Sequence, residues 1–373
     1  MKNIVNLGNV ATYINGYAFK PSDWAEDGTP IIRIQDLTGN SYQMNRFKGI
    51  VDSKYDVNSG DVLISWSASL GVYVWNRGNA VLNQHIFKVV FDKEEVDKDF
   101  FVFQIDNLLK RAANQAHGAT MRHLTKPVFD ALPFYLPDIK TQRLISSKLN
   151  LIVHLIEDHH EQLKKLDELI RSRFLEMFGM SEGIDKHLED VADICSGITK
   201  GRKVLGLELR EVPYMAVSNV KMGYIDLSTV KTIMATENEI EQYRLFPNDI
   251  LMTEGGDPDK VGRGAIIRNP PKDCIHQNHI FRVRLHKDVL LPEFFEEYLQ
   301  GNSARRYFLK AAKQTTGIAS INMKQLRALP VKIPPIKVQI QYSDFVHQVD
   351  KSKYREAIFF IYWKIFAYVV IYK

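Results

Sequence analysis

The chain carries one ordered set of short segments twice, and this duplication constrains its fold more than any other feature. The first copy begins near Val10 and the second near Val191. The matched segments are Val10-Ala11 with Val191-Ala192, Gly16 with Gly197, Pro30-Ile31 with Pro213-Tyr214, Gly60–Leu63 with Asn248–Leu251, Asn83–Val89 with Gln277–Val283, and Leu132-Pro133, Pro137 and Gln142 with Leu329-Pro330, Pro334 and Gln339. A period of roughly 180 to 200 residues is too long for a solenoid unit and predicts two copies of one domain.

Length and composition agree with two soluble globular domains. A chain of 373 residues is long enough for two or three domains with their own cores, and 45% hydrophobic with 25% charged residues is ordinary for such domains. The two cysteines, Cys195 and Cys274, are too few for a disulfide scaffold or a cysteine-based zinc site. The first residues contain no apolar stretch suited to a signal peptide, so we expect a cytoplasmic protein.

Positive charge is concentrated at matching places in the two copies, although the net charge is only +5. Residues 107–129 and 300–343 contain no Asp or Glu. The basic residues in them are Lys110, Arg111, Arg122, Lys126, Arg305, Arg306, Lys310, Lys313, Lys324, Arg327, Lys332 and Lys337. A repeated basic surface indicates a polyanionic partner, usually nucleic acid, and a solvated charged face is the alternative interpretation.

Each copy has strand-like segments first and a helix later, which predicts an α+β domain. The predicted strands are residues 31–34, 61–64, 72–75 and 87–91 in the first copy, and 250–252, 264–267 and 280–283 in the second. The predicted helices are Asp99–Ala113 and Pro292–Ala312, the latter with proline in its first turn. The expected organisation is a first domain at 1–142, a helix at 143–180, a second domain at 181–339 and a distal helix, atypical or truncated, at 340–373.

An apolar stripe after Pro137 predicts a helix of roughly 40 residues, about 60 Å long at ~1.5 Å per residue, that ends near Gly179. The stripe consists of Ile145, Leu149, Ile152, Ile156, Leu163, Leu166 and Ile170. Steps of three and four residues are typical of a coiled-coil seam. A second helix, beginning at Pro335, carries Tyr342, Val346 and Val349 at matching positions. We expect the two helices to pair antiparallel.

The last residues break the duplication. Residues 357–373 are almost entirely apolar and aromatic, where the first copy continues with charged residues. The segment is somewhat short for a transmembrane helix, which needs ~20 apolar residues. Two hypotheses remain open: a changed or truncated reading frame, and an interface helix that a partner buries.

No segment of the sequence predicts catalysis, a cofactor site or a metal site. Asn269-Pro270-Pro271 resembles the start of an adenine methyltransferase signature, but Lys272 cannot supply the stacking aromatic, and the repeat aligns this segment with a predicted hairpin turn at Asn76–Asn79. His154, Asp158, His159 and His160 have metal-ligand spacing, yet they lie on a charged helix and are interpreted as solvated surface. Phosphate loops, zinc-protease motifs and nucleophile elbows are missing from the sequence. We therefore expect a binding protein that is not an enzyme.

Matched loops of the two copies carry side chains suited to DNA. Arg and Lys bind guanine, Asn and Gln bind adenine, and Ser, Thr and backbone N–H groups bind phosphate. The candidate DNA-binding residues are Lys20, Asn83, Gln84, Gly118, Thr120, Arg122, His123, Lys200, Arg202, Lys203, Arg263, Gln277, Asn278, Thr316, Gly317 and Ser320. The amides at 83–84 and 277–278 have a structural alternative, in which they tie a strand to a loop.

Taken in order, these segments resemble the specificity subunit of type I restriction–modification systems over almost the full length. The resemblance rests on the repeated Val-Ala start with its following glycine, the Asp-Val/Ile-Leu strand, the Asn/Gln-His-Ile-Phe strand, the Leu-Pro approach to each long helix, and the helix end at Arg171–Gly179. Each motif alone is weakly specific. Their repetition in one order is the strong signal.

The resemblance implies that each domain reads one half of a bipartite double-stranded DNA site, and that the long helices set the gap between the halves. It also implies that the helices dock two methyltransferase subunits, with restriction subunits joining the complex, and that the apolar stripe from Leu149 to Ile170 serves this docking. S-adenosylmethionine, ATP and Mg would then be bound by those partners, with no cofactor in this chain.

Two other interpretations remain open at this point. One is a fused methyltransferase with recognition domains, against which the missing cofactor motif argues. The other is an adaptor protein that does not bind DNA and whose C-terminal tail is buried or associated with a membrane. DNA affinity that falls steeply with salt would separate a DNA reader from an adaptor, because phosphate contacts release counterions.

Overall fold

A computed structural model describes residues 3–115, 125–179, 183–202, 206, 208–256, 261–315 and 318–353. The chain divides into two compact units, whose described residues fall within 3–156 and 157–353. We use "first domain" for residues 3–138 and "second domain" for residues 183–335. The apolar tail at 357–373 lies outside the described residues.

The strands of the first domain form three small sheets. They are β1 (Ile4–Asn6), β2 (Thr12–Asn15), β3 (Thr29–Ile32), β4 (Arg46–Phe47), β5 (Asp56–Val57), β6 (Val62–Ser65), β7 (Gly71–Val74), β8 (Ala80–Leu82), β9 (Ile86–Val90) and β10 (Pro133–Tyr135). The sheet orders are β2-β9-β6-β7, β4-β3-β8-β5 and β1-β10. All pairs are antiparallel except β3 with β8.

The second domain repeats this plan. Its strands are β11 (Ile184–His187), β12 (Ala192–Ser196), β13 (Arg210–Met215), β14 (Lys231–Ala235), β15 (Asp249–Thr253), β16 (Gly255–Gly256), β17 (Gly264–Ile267), β18 (Ile275–His276), β19 (Ile280–Leu285), β20 (Lys313–Thr315), β21 (Ile318–Ser320) and β22 (Pro330–Ile333). The orders are β12-β19-β15-β17, β14-β13-β18 and β11-β22, with an additional β16-β21-β20 sheet. Its one parallel pair among the described strands is β13 with β18, which corresponds to β3 with β8 in the first domain.

Helices follow the strands in both domains, as an α+β fold requires. The first unit contains α1 (Ile34–Leu37), α2 (Lys98–Gln115), α3 (Lys126–Asp130) and the beginning of α4 (Ile139–Phe178). The second unit contains the rest of α4, then α5 (Glu237–Tyr243), α6 (Pro292–Gln300), α7 (Asn302–Ala311), α8 (Met323–Arg327) and α9, described over residues 336–353. Short 3-10 helices occupy Leu7–Asn9, Pro21–Asp23, Ser53–Tyr55, Leu188–Asp190 and Val217–Asn219.

The cores lie between the four-stranded sheets and the helices. In the first domain Phe101, Phe129 and Phe134 are fully buried against β6 and β9 residues. In the second domain Phe295 and Phe308 occupy the corresponding layer. Each fully buried aromatic or aliphatic side chain stabilises its domain by about 1.5 to 3 kcal/mol, so each domain has an apolar core of its own.

A buried glutamine ties each domain to the long helix that follows it. The amide of Gln142 donates to the Pro137 and Glu95 oxygens, and its own oxygen accepts from the Asp97 N–H at 2.9 Å. Gln339 makes the same set of bonds with Pro334, Val289 and Leu291. Satisfying these backbone groups fixes the start of each helix. The repeated Leu-Pro…Pro…Gln motif is therefore a structural joint.

Within the second unit, α4 and α9 pair antiparallel. Ile170 is buried with Tyr342, Val346 and Val349, and the Phe178 and Tyr342 rings lie 5.4 Å apart. At the other end of the contact Lys353 Nζ lies 2.6 Å from Asp167. The end of α4 at Phe178 thus meets the beginning of α9, and Asp167 further back on α4 meets Lys353 further along α9, which confirms the predicted direction of pairing.

The six stripe residues predicted for partner docking are divided between the two units. Leu149, Ile152 and Ile156 belong to the first unit, while Leu163, Leu166 and Ile170 belong to the second. Ile152 and Ile170 are buried and the other four are half-buried. Leu166 and Ile170 pack in the α4–α9 cluster, so these two side chains already have an intramolecular role.

Most predicted elements are confirmed, and three expectations need correction. The strand predicted over residues 31–34 ends at Ile32, because the Arg33 N–H donates to the Asp36 carboxylate and starts α1. The helix predicted over Pro292–Ala312 breaks at Gly301, which has an extended backbone between α6 and α7. Asn76–Asn79 connects β7 to β8, which lie in different sheets, so this segment is a crossover and not a hairpin turn.

Candidate nucleic-acid interface

The two domains carry corresponding rims where the first strand of the four-stranded sheet ends. We call Asn15, Tyr17, Trp66, Asn83, Gln84 and His85 the first rim. We call Lys200, Glu254, Arg263, Gln277, Asn278, His279 and Ser320 the second rim. Backbone contacts place each set together, as described below.

A glycine makes the close approach at both rims possible. Gly16 follows β2, and an added Cβ would lie 2.0 Å from the Asn83 oxygen. Gly197 follows β12, and an added Cβ would lie 1.9 Å from the His276 oxygen. Any side chain would force the strands apart. The repeated glycine therefore fixes the position of the amides that follow at Asn83 and Gln277.

In the first rim, Tyr17 forms a parallel bridge with Asn83, and the Gln84 N–H donates to the Tyr17 oxygen at 2.8 Å. Both amide residues are half-buried, whereas Tyr17 is 40% exposed. Lys20 lies three residues further along and is exposed. Its N–H caps the following 3-10 helix through Asp23, which leaves the lysine side chain at the surface.

Trp66 completes the first rim. Its indole N–H donates to Asn15 at 3.1 Å, and its ring lies 5.0 Å from the His85 ring in an edge contact. His85 has a positive φ of 72°, a conformation that costs a non-glycine residue energy and is often kept where a side chain must be aimed. Lys126 lies 5.4 Å above the ring of Tyr13, which is buried beneath this surface. The first rim is aromatic and amide-rich.

In the second rim, Ile198 forms the equivalent parallel bridge with Gln277, and the Asn278 N–H donates to the Ile198 oxygen at 3.0 Å. Ser196 Oγ donates to the Asn278 oxygen at 2.6 Å. Lys200 is exposed two residues beyond Ile198. These backbone contacts support the structural role proposed for the repeated amide segment, while the Gln277 and Asn278 side chains remain half-buried at the surface.

The Glu254 and His279 side chains form a hydrogen bond at the second rim. His279 Nδ1 lies 2.7 Å from the Glu254 carboxylate, and the Glu254 N–H donates to the His279 oxygen at 3.1 Å. The Thr253 N–H donates to the Arg263 backbone oxygen at 3.0 Å, and Gly255 of β16 pairs with Ser320 of β21. The structure therefore brings Arg263, Ser320 and the 277–278 amides around Glu254.

Arg202, one of the predicted DNA-binding residues, forms an ion pair within its own domain. Its guanidinium binds both carboxylate oxygens of Glu239 and donates to the Met234 oxygen at 3.0 Å. The hydrogen bonds from Arg202 lower the pKa of Glu239 to about 2. The structure thus gives Arg202 a role in holding the start of α5, where Glu239 also caps the helix.

Seven predicted DNA-binding residues lie outside the described residues. They are Gly118, Thr120, Arg122, His123, Lys203, Thr316 and Gly317. Their proposed roles stay predictions from the sequence.

The acid-free stretch of the second copy forms exposed basic surface. Its exposed basic residues are Arg305, Arg306, Lys310, Lys324, Arg327, Lys332 and Lys337, on α7, α8, β22 and α9. Within the described part of the chain, none of these seven forms an ion pair with a carboxylate. Such unneutralised surface raises the local concentration of polyanions.

A buried histidine beside the second rim, His276, adds no charge to it. Burial lowers the pKa of His276 to about 4, and Arg282 nearby acts in the same direction. His276 is therefore neutral at neutral pH, and its Nδ1 lies 3.1 Å from the Tyr243 oxygen. The positive charge at this rim comes from Lys200 and Arg263.

Sequence reasoning missed six rim residues, which are Asn15, Tyr17, Trp66, His85, Glu254 and His279. The histidines could have been found, since each directly follows the repeated amide pair. Trp66 and Glu254 differ completely in chemistry, although each lies three residues after a matched segment that ends at Leu63 or Leu251. The pairing of β6 with β9 and of β15 with β19 places both residues at the rims.

Two further features are absent from the described residues. Those residues contain no group of three or more His, Cys, Asp or Glu side chains that could hold a metal ion. Among them we also find no helix whose length and hydrophobicity would suffice for crossing a membrane.

Comparisons with known proteins bear on this arrangement. Residues 2–168 and 182–357 both match the family described as type I restriction modification DNA specificity domain. The EcoBI specificity subunit of a type I restriction enzyme from Escherichia coli is 22% identical over 92% of this chain and 78% of its own length. This name agrees with the expectation of a non-catalytic chain.

Solved structures support the fold. A type I restriction-modification S subunit from M. genitalium superimposes with a TM-score of 0.51 at 12% identity, covering 99% of this chain and 94% of that one. A chain from a structure titled for complex assembly and conformational transition of the type I R-M system gives 0.60 at 14% identity, covering 98% and 95%. With two family matches that fall on the two halves of its duplication, the chain belongs to the type I restriction modification DNA specificity domain family.

Proposed function

We propose that this chain is the DNA sequence-recognition subunit of a type I restriction–modification complex and that it acts in the cytoplasm. Each domain reads one half of a bipartite duplex site through its rim. The observation that carries the proposal is the pair of equivalent rims, built on one framework and lined by different side chains. A duplicated scaffold with unlike rims is what two different half-sites require.

Direct reading of bases needs side chains held rigidly at a basic surface. The first rim offers the amides of Asn83 and Gln84, and the second offers Gln277, Asn278 and Arg263. Amides suit adenine and arginine suits guanine in the major groove, each good bidentate pair being worth about 1 to 3 kcal/mol of discrimination. The exposed basic residues of α7 and α8 would bind phosphate, which orients the domain without reading sequence.

The long helices connect the two readers and provide the docking surface. We infer that α4 with α9 sets the unread gap and docks two methyltransferase subunits, with restriction subunits completing the complex. The exposed fractions of Leu144 and Leu151, 55% and 57%, leave apolar side chains on α4 available to a partner. S-adenosylmethionine, ATP and Mg belong to those partners in this proposal.

The test is selection from a random duplex library by the chain reconstituted with its methyltransferase subunits. The expected result is one enriched motif in two parts with a fixed gap, and an affinity that falls steeply between about 50 and 200 mM salt as counterions are released. No enriched motif, or negligible binding at every salt concentration, would contradict the proposal and favour an adaptor.

A further inference from the structure

Glu254 occupies the place in the second domain that Trp66 occupies in the first. Both residues directly follow the strand at the centre of the four-stranded sheet, β15 or β6. The backbone N–H of Trp66 donates to the His85 backbone oxygen at 3.3 Å, and the backbone N–H of Glu254 donates to the His279 backbone oxygen at 3.1 Å. The backbone is therefore equivalent, and the side chains differ completely in chemistry.

Glu254 is held in place through both its side chain and its backbone. His279 Nδ1 contacts it at 2.7 Å, so the proton at Nδ1 is directed to the carboxylate. The backbone oxygen of Glu254 accepts from the Ile321 N–H at 2.8 Å, which fixes the Glu254 backbone between two strands. The side chain still has 35% of its surface exposed. A positioned, accessible carboxylate is thus presented at the rim.

A carboxylate is an unusual residue for a surface that binds a polyanion. Of the seven residues that define the second rim, Glu254 is the one with negative charge, whereas Lys200 and Arg263 carry positive charge. Phosphate oxygens repel it, so facing the DNA backbone would weaken binding. In the major groove the favourable partner is the exocyclic amino group of cytosine, whose N4 donates to Glu or Asp. The adenine amino group lies beside the N7 acceptor, which repels a carboxylate.

We propose that Glu254 reads a cytosine in the half-site of the second domain by accepting a hydrogen bond from its N4 amino group, with His279 as the positioning residue. This inference rests on the proposed function and adds one base to it. Trp66 cannot accept such a bond, so the first domain has no equivalent preference at this place.

The experiment compares the wild-type chain with Glu254→Gln, each reconstituted with its methyltransferase subunits. Duplexes carry the selected site with every base pair of both half-sites replaced in turn, and affinities are measured at one salt concentration. The amide keeps the shape but removes the charge and can donate. We expect discrimination at one C·G pair of the second half-site to fall about tenfold, the effect of a lost base contact. Affinity for unrelated duplex should be unchanged or stronger.

Glu237→Gln is the matched control, because Glu237 is an exposed carboxylate that is also ion-paired, in this case with Arg210. Arg210 begins β13, whereas Gln277 contacts Met215 at the other end of that strand. Glu237→Gln should keep every preference of the wild type. His279→Gln should weaken discrimination at the same C·G pair alone. Unchanged discrimination in Glu254→Gln, loss at an A·T pair, or loss in the first half-site would overturn the inference. Failure of the wild type to select any duplex would overturn the proposed function instead.

Discussion

The two domains share the order of their main sheet and the contacts of their repeated glycine and glutamine, and they differ at their rims. Gly16 and Gly197, and Gln142 and Gln339, make the same close approaches and the same hydrogen bonds. At the rims, by contrast, Trp66 stands where Glu254 stands. The framework positions are constrained because the glutamine side chains bond buried backbone groups and the glycines leave room for another strand's backbone. The rim positions can differ because solvent or a ligand can satisfy the polar groups of their side chains.

The largest effect is expected at the repeated glycines. Gly197→Ala and Gly16→Ala each place a methyl group within 2.0 Å of a backbone oxygen, so each should lower the free energy of unfolding by about 3 kcal/mol or more. Thermal and urea unfolding of the intact chain measure this. As a control, Gly78→Ala meets no atom within 4 Å and pays only for its φ of +80°, about 1 to 2 kcal/mol. Tolerance at one repeated glycine alone would break the equivalence.

The buried glutamines come next. Replacing Gln142 or Gln339 with leucine leaves one N–H and two carbonyl groups unpaired in the interior, and we expect a loss of about 2 to 3 kcal/mol for each. The two losses should agree within about 1 kcal/mol, since the bonds are equivalent. Gln162→Leu, at an exposed position of α4, is the matched control and should leave the unfolding midpoint nearly unchanged.

A pH dependence of stability between pH 5 and 8 is expected from Glu296 in the second domain. Glu296 on α6 has 12% of its side chain exposed and accepts a hydrogen bond from the Ile266 N–H, whereas the first domain has Val102 at the corresponding place on α2. Burial raises the pKa of Glu296 to about 7. The folded state therefore holds a proton that the unfolded chain releases near pH 4.5, and stability from this group is lost as pH rises through about 7.

Glu296→Gln should remove that loss. We expect the wild type to lose on the order of 2 kcal/mol more than the variant between pH 5 and 8. The measurement is the urea midpoint of both proteins over this range, with Val102→Ala as the matched change in the first domain. Parallel pH profiles for wild type and Glu296→Gln would show that the carboxyl group does not titrate in this way.

The smallest effects should be those on half-site binding. Arg263→Ala should weaken affinity for the second half-site about tenfold and leave the first unaffected, and Lys20→Ala should do the reverse with a shallower salt dependence. Arg202→Ala should instead lower stability by about 1 kcal/mol, because Arg202 binds Glu239. Equal loss at both half-sites from Arg263→Ala would contradict independent readers.

The sequence predicted the features that periodicity and duplication encode. The duplicated domain, the strands around Val62 and Ile250, and a helix of 40 residues at Ile139–Phe178 are confirmed. Local hydrogen bonds account for the errors. The Arg33–Asp36 bond ended a predicted strand, and the extended backbone of Gly301 broke a predicted helix. Neither effect is visible in a pattern of apolar residues.

The candidate site was harder to predict because contacts distant in sequence build it. Asn83 and Gln277 were recognised through the repeat, but Trp66 and Glu254 share no residue type and are brought to the rim by strand pairing. Arg202 was chosen for its charge, and the structure pairs it with Glu239, 37 positions away. Residue type suggests what a side chain can bind, whereas its neighbours decide what it does bind.

The most direct test of two independent readers is a map of adenine methylation across the host genome by single-molecule sequencing, with this gene present and deleted and the neighbouring methyltransferase gene intact. The account predicts that deletion abolishes methylation of one two-part motif with a fixed gap and leaves other motifs unchanged. An unchanged map, or loss of a single uninterrupted motif, would contradict it.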